Sequence, residues 1–347
     1  MQLVERTVKY IYNIQEDSAA IYIDSVEKVL PRHPVTPMMK AIEVLWMNIP
    51  LVTVDTIFDK FKEHLHLVIK LSERMDGGRQ EHPEAIFFEM AARGLLAEYY
   101  ADDDQYMKAV SEANKTYQLL KLGFKLTDEI PEFLFTSGIY NYFREKYPEK
   151  HPIYKPFVWF FRSGDIELGL RQIQRACRET TISKVEAYVY LAFIYLRYEY
   201  KPLEAQHYLK ELHQLYPNNP YIKAKLLESF ADGKNFEEVP ERLIGELIEI
   251  DRPYYQLAGN AFLGLHEEKV NNDPDEAIIK YERGLASGEL ITGHGNYYRS
   301  LAHLGAGRIY MKKGHKGKAE MHLEKSREYA VSEVVGDEAK GLLDQLE

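Results

Sequence analysis

The chain has 347 residues, a formal net charge of −10 and a single cysteine, Cys177. The acidic balance argues against a dedicated nucleic-acid binder, and one cysteine excludes an intramolecular disulfide and any cysteine-based zinc site. No run reaches the roughly 18 apolar residues that a membrane span needs, while 45% hydrophobic residues suffice for a continuous core. Met1–Val8 lacks a charged-then-apolar leader, which favours a cytoplasmic location, although a chain trimmed of its leader after export would read the same.

Taken in chain order, residues 3–75 predict four helices, Leu3–Asn13, Asp17–Leu30, Pro37–Asn48 and Thr53–Met75, with Met39, Ile42 and Trp46 turned inward. Residues 1–78 read as an irregular N-terminal capping region that ends on the break Asp76-Gly77-Gly78. Glu84–Ala101 and Asp104–Leu120 predict a first hairpin, and Glu132–Glu145 a connector helix, so 79–150 holds one repeat and an aromatic connector. The run YPEKHPIYKP carries three prolines and predicts a bend before a helix Phe157–Phe161.

Residues 151–330 predict further hairpins, most clearly Val185–Pro217. Tyr188, Leu191, Ala192 and Tyr195 fall at i, i+3, i+4 and i+7, which makes one apolar helix face. Ala205, Leu209 and Leu212 do the same in a second helix that opens at Pro202. Ser183 is the expected N-cap of the first, with Glu186 closing a capping box. Asn219-Pro220 and Asp273-Pro274 are helix starts, and Gly233 and Gly314 are stops. Residues 331–347 predict a C-terminal capping helix.

One such hairpin cannot bury its own faces, so neighbours must stack on it. Copies recur: Arg93, Leu96, Ala97 and Tyr100 with Ala109, Ala113 and Thr116, and His303, Ala306, Gly307 and Tyr310 with Ala319, Leu323 and Ser326. Second-helix anchors Gly169, Ala205, Leu243, Ala277 and Ala319 step by 36, 38, 34 and 42 residues. This large–small pattern resembles the tetratricopeptide repeat (TPR), a unit of about 34 residues, with Arg93 and His303 where the repeat carries tryptophan. The resemblance implies an all-α solenoid of stacked antiparallel hairpins in a right-handed superhelix, and a non-catalytic scaffold that binds protein or peptide on its concave face. First-helix positions line that face in TPR proteins. Carried over, they are Tyr154, Val158, Phe161 and Arg162; then Val189, Phe193, Leu196 and Arg197; then Leu304, Arg308, Met311 and Lys312. A cation closing each set implies a partner with an acidic group. The lysine and asparagine set with which chaperone-binding TPRs clamp a terminal carboxylate is absent. The segment from Ser137 to Ala176 is also similar to the middle of the tetratricopeptide repeat protein 39 group, through Gly138, Pro148, Phe161, Gly164, Asp165, Gly169 and Leu170.

Sequence signatures of catalysis are missing: there is no GxxxxGK[ST], HExxH or G-x-S-x-G. No cofactor or metal is expected. His64 and His66 lie two apart on a helix and so on different faces, and Cys177 reads as a packed helix residue. Two features stand out. Aromatic residues crowd Tyr140–Phe161, where an aromatic-lined pocket would suit an apolar small molecule or lipid, an alternative to the scaffold reading. Residues 299–327 are locally basic, which reads first as a solvated terminal repeat.

Overall fold

The computed structural model describes residues 2–49, 51, 55–150, 152, 161–289, 291 and 293–346. Among these, 17 α-helices and no strand occur. They are α1 Gln2–Tyr12, α2 Glu16–Val29, α3 Val35–Met47, α4 Asp55–Asp76, α5 Pro83–Asp102, α6 Tyr106–Gly123, α7 Phe133–Lys150, α8 Ile166–Glu179 and α9 Lys184–Arg197. There follow α10 Pro202–Leu215, α11 Pro220–Asp232, α12 Glu241–Ile248, α13 Pro253–His266, α14 Pro274–Ser287, α15 Asn296–Lys312, α16 Lys316–Tyr329 and α17 Glu333–Asp344. The chain forms two compact units, residues 1–191 and 192–347.

Within each unit, consecutive helices pack in pairs: α5 on α6 and α7 on α8 in the first, α13 on α14 and α15 on α16 in the second. First helices also pack on the next first helix, as α13 does on α15. This is the TPR-like arrangement of an α-solenoid, in which each hairpin buries its apolar faces against its neighbours.

The turns between paired helices repeat one device. A residue takes the left-handed conformation, and the next N–H reaches back to a carbonyl in the last turn of the helix just ended. Asp104 (φ 57°) precedes Gln105, which donates to the Tyr100 carbonyl at 2.8 Å; Gly314 (φ 73°) precedes His315, which donates to Tyr310 at 2.9 Å. Ile14, Tyr200, Lys234 and Asn272 hold the equivalent place in other turns. Such a cap satisfies carbonyls that the helix leaves open, and side-chain-bearing residues accept the strain. Gly314→Ala should therefore cost about 1 kcal/mol of conformational energy, because a methyl there meets nothing within 4 Å. The exposed Lys234→Gly should gain about 0.5 kcal/mol or more. Urea midpoints moving in opposite directions would check the pair.

The hairpins α5–α6 and α15–α16 superpose in sequence at an offset that pairs Arg93 with His303 and Glu112 with His322. The slot that tryptophan would fill is polar in both. Arg93 is buried and donates to Glu89 (2.7 Å), Glu112 (2.8 Å) and Glu73 (3.1 Å), tying α4, α5 and α6 together. His303 and His322 face each other through Nδ1 atoms 2.9 Å apart. Burial, the His322 neighbour and nearby cations push His303 down to about 3, so the pair is neutral at ordinary pH.

The α7–α8 contact explains why glycine stands at Gly138 and Gly169. A methyl on Gly169 would lie 2.7 Å from the Tyr142 nitrogen and 2.8 Å from the Gly138 carbonyl; one on Gly138 would lie 2.9 Å from the Gly169 carbonyl. The two backbones touch, which only glycine permits. Gly164 rests on the Asn141 carbonyl, and Asp165 caps α8 by accepting from the Leu168 N–H at 2.9 Å.

Two local expectations change. Pro148 lies inside α7, which runs on to Lys150 rather than stopping at Glu145. The proline sits in the last turn, so the helical hydrogen bond its missing N–H forfeits is one of the last in the helix. The expected helix Phe157–Phe161 falls largely outside the described residues. Ser183 and Glu186 do not form a capping box. Glu132, just ahead of α7, instead accepts from the N–H groups of Thr181 (2.6 Å), Ile182 (3.1 Å) and Ser183 (3.1 Å) and from the Ser183 hydroxyl. A remote carboxylate thus caps α9 and frees Glu186 for another contact.

Candidate functional site

In the first unit, helices α3, α5, α6, α7 and the start of α9 surround a recess of about 420 Å³. Its wall is almost wholly apolar: Met38, Ile42 and Leu45 from α3; Phe87, Met90 and Leu95 from α5; Leu120 from α6; Phe135 and Ile139 from α7. The space has a cause in the repeat. Gly94 and Ala113 both line it, and at the offset that pairs the two hairpins they correspond to Leu304 and Leu323, which are buried in the last hairpin. Two leucines are thus missing where the first hairpin opens. A methyl on Gly94 would find only the Thr116 methyl, at 3.8 Å.

Tyr117, Tyr140 and Phe161 form one rim. The Tyr117 and Tyr140 rings stack at 5.6 Å, and Phe161 meets Tyr117 edge-on at 4.9 Å. The Tyr140 hydroxyl donates to the Arg162 carbonyl, and the Arg162 N–H donates to the Tyr117 hydroxyl at 3.0 Å. The Arg162 guanidinium lies 4.5 Å from the Phe124 ring centre. These contacts hold residues 161–162 against α6 and α7.

Two carboxyl groups interrupt the apolar wall. Glu186 Oε1 accepts from the Tyr12 hydroxyl at 2.5 Å and from the Trp46 indole N–H at 3.4 Å. Its Oε2 is buried and has no hydrogen-bond partner. Burial pushes the Glu186 carboxyl up to about 7, against the opposing pull of these donors and with some repulsion from Glu132. Glu98 accepts from the Tyr190 hydroxyl at 2.9 Å. It is open to the recess yet crowded by protein, and that desolvation, with Asp102 nearby, raises its pKa.

A raised carboxyl binds its proton more tightly in the folded state. Its contribution to stability is therefore full below the ordinary value near 4.5 and is lost as pH rises through about 7. Glu186→Gln keeps an oxygen for Tyr12 and Trp46 but cannot ionise. The variant should lose stability relative to the native chain least, or gain, above pH 7, and compare worst below pH 5. Urea midpoints across that range give the check; parallel curves would contradict it.

The residues carried over from the TPR inner face are placed as follows. Tyr154 and Val158 lie outside the described residues. Phe161 joins the recess and Arg162 is exposed beside it. Val189 is half-buried, Phe193 is 44% exposed and Leu196 is buried. Leu304 is 1% exposed, Met311 half-buried and Lys312 exposed. Two of the three arginines, Arg197 and Arg308, correct the expectation of cations held ready for an acid. Arg197 pairs with Glu228 and, at 3.3 Å, with Asp232. Arg308 donates to both oxygens of Glu268 (2.8 and 2.7 Å) and to Glu338 (2.8 Å). Each guanidinium already meets carboxylates of its own unit.

The second unit gathers further titratable groups. Lys225 bonds Glu228 at 2.9 Å, and Tyr297 and Ser332 both donate to Asp232, at 2.8 and 2.9 Å. Burial and the Arg197 charge push Lys225 down to about 7. Two cations face two anions here, which is the pairing that a buried ionic cluster requires. Among the described residues no three histidines, cysteines or carboxylates come together as metal ligands, and no helix is long and apolar enough to cross a membrane.

Sequence reasoning missed Gly94, Glu98, Glu186 and Tyr190 as partners in one site. A signal was present. A glycine amid a long helix costs about 1 kcal/mol against alanine and asks for a reason. Glu98 stands one turn after Gly94, and Tyr190 one turn after Glu186.

No protein-family model and no curated protein matches the chain. Among solved structures, the crystal structure of yeast Tom70 aligns at a TM-score of 0.41 with 12% identity, over 90% of this chain and 64% of that one. The chain thus spans under two thirds of that Tom70 chain. The crystal structure of the P58(IPK) TPR domain aligns at a TM-score of 0.26 with 14% identity, over 99% of this chain and 98% of that one.

Proposed function

We propose that this chain is a non-catalytic binding scaffold, and that the recess in its first unit seats apolar side chains of a protein or peptide partner. The observation that carries this reading is the recess itself. Stacked hairpins bury their apolar faces, yet here about 420 Å³ stays open because small residues stand where the last hairpin has leucines. Apolar concavities of roughly 300–1,000 Å³ with a few placed polar groups are where proteins take ligands. The same volume favours a second reading, a carrier of an apolar small molecule.

Gly94→Leu separates binding from folding. It restores the missing side chain inside the recess, meets little resistance there, and replaces a poor helix former with a good one, worth up to about 1 kcal/mol. The variant should be at least as stable as the native chain. In parallel captures from extract of the producing cell, compared by mass spectrometry, it should lose proteins that the native chain retains. Retention of the same proteins would contradict the reading. An apolar small molecule that co-purifies with the native chain and is missing from Gly94→Leu would favour the carrier instead.

A further inference from the structure

We infer that the recess in the first unit selects a cation carried on an apolar stem, a protonated primary amine whose alkyl part fills the apolar space and whose ammonium meets Glu186. The inference rests on the recess being a binding site, and adds the charge and chemistry of what enters it.

Three observations point the same way. The recess wall contains two carboxyl residues, Glu98 and Glu186, and no lysine or arginine among the described residues. Glu186 is only half satisfied: Tyr12 and Trp46 both donate to Oε1, while Oε2 is buried with no partner. A buried polar atom left unpaired is costly, and more so when the group is charged. Besides its own backbone N–H, the groups next to Glu186 are Tyr12, Trp46 and Glu132, none of them a cation. Its ionised form therefore lacks a counter-charge, and burial answers by raising its pKa. An ammonium ion supplies what is absent: three donors and a positive charge on a flexible apolar chain. An acidic ligand would set a third carboxylate beside two.

Lysine side chains of a partner segment and free alkylamines share this chemistry, and lysine suits a scaffold because its methylenes pack while its head stays polar. Two probes distinguish the sources. One is n-octylamine; the other is a capped pentapeptide with one lysine among leucines. The neutral and anionic controls are n-octanol and octanoate. Calorimetric titration of the full chain at pH 7 should show octylamine binding at least about tenfold more tightly than octanol, with octanoate weakest. Amine binding should also release protons, read as a dependence of the heat on buffer ionisation enthalpy, because the cation holds Glu186 ionised.

Glu186→Gln should remove the preference for amine over octanol and abolish the proton release, while octanol binding persists and shows that the recess is intact. Equal affinity for octanol and octylamine would overturn the charge selection and leave the recess standing as an apolar site. Failure of every probe to bind would overturn both. Full amine preference in Glu186→Gln would exclude Glu186 as the group responsible. Tighter binding of the pentapeptide than of octylamine would assign the amine to a protein partner. The reverse order would assign it to a small molecule.

Discussion

Gly169→Leu should destabilise the first unit by roughly 3 kcal/mol or more, beyond the usual cost of overpacking. The side chain would start 2.7 Å from the Tyr142 nitrogen and 2.8 Å from the Gly138 carbonyl. Those are backbone atoms of α7, and no rotamer change can move them aside. Helices α7 and α8 would have to separate, and the pairing that stacks them would go with it. Gly341→Ala in α17 is the control. Nothing lies within 4 Å of a methyl there, so the change should gain about 0.5–1 kcal/mol from helix propensity alone. Opposite shifts in urea midpoint are expected. A tolerated Gly169→Leu would mean that the two backbones do not meet.

Arg308→Met should cost about 3–5 kcal/mol in the second unit, the range for removing one partner of a buried ion pair. The Glu268 side chain is 4% exposed and accepts from Arg308 at 2.7 Å and from Tyr281 at 2.9 Å. Burial alone would raise the Glu268 pKa, but Arg308 outweighs it and holds the carboxyl below its usual range. Without the guanidinium the carboxylate must take up a proton or draw in water. The loss should therefore be larger at pH 8 than at pH 5. The double variant Arg308→Met with Glu268→Gln should recover a substantial part of the loss, because no uncompensated charge remains. A double variant as unstable as the single would show that packing rather than charge pairing sets the cost.

Much of the hairpin architecture is legible in the amino-acid order. Ala205 and Ala319 are wholly buried second-helix positions, and Asn219 and Asp273 cap helices through their side chains. These are local signals: periodicity and capping act within a few residues. Less legible is whatever depends on partners far apart in the chain. The N–H groups ahead of α9 are capped by Glu132, about fifty residues earlier, so the local motif of Ser183 and Glu186 misled. The recess depends on residues from five helices and on which positions are small. Gly94 and Ala113 announce it only when set against Leu304 and Leu323 of another repeat. The inner-face arginines show the same limit. A cation in the last turn of a helix satisfies the helix dipole whether its head meets a ligand or, as with Arg197 and Arg308, a carboxylate of a neighbouring helix.

Amide hydrogen exchange of the full chain, free and with a partner captured by the native form but not by Gly94→Leu, tests the binding recess most directly. New protection should gather in α5, α6 and the first turns of α9, around Gly94, Ala113 and Glu186. Protection confined to residues 192–347, with the first unit exchanging as in the free chain, would contradict it.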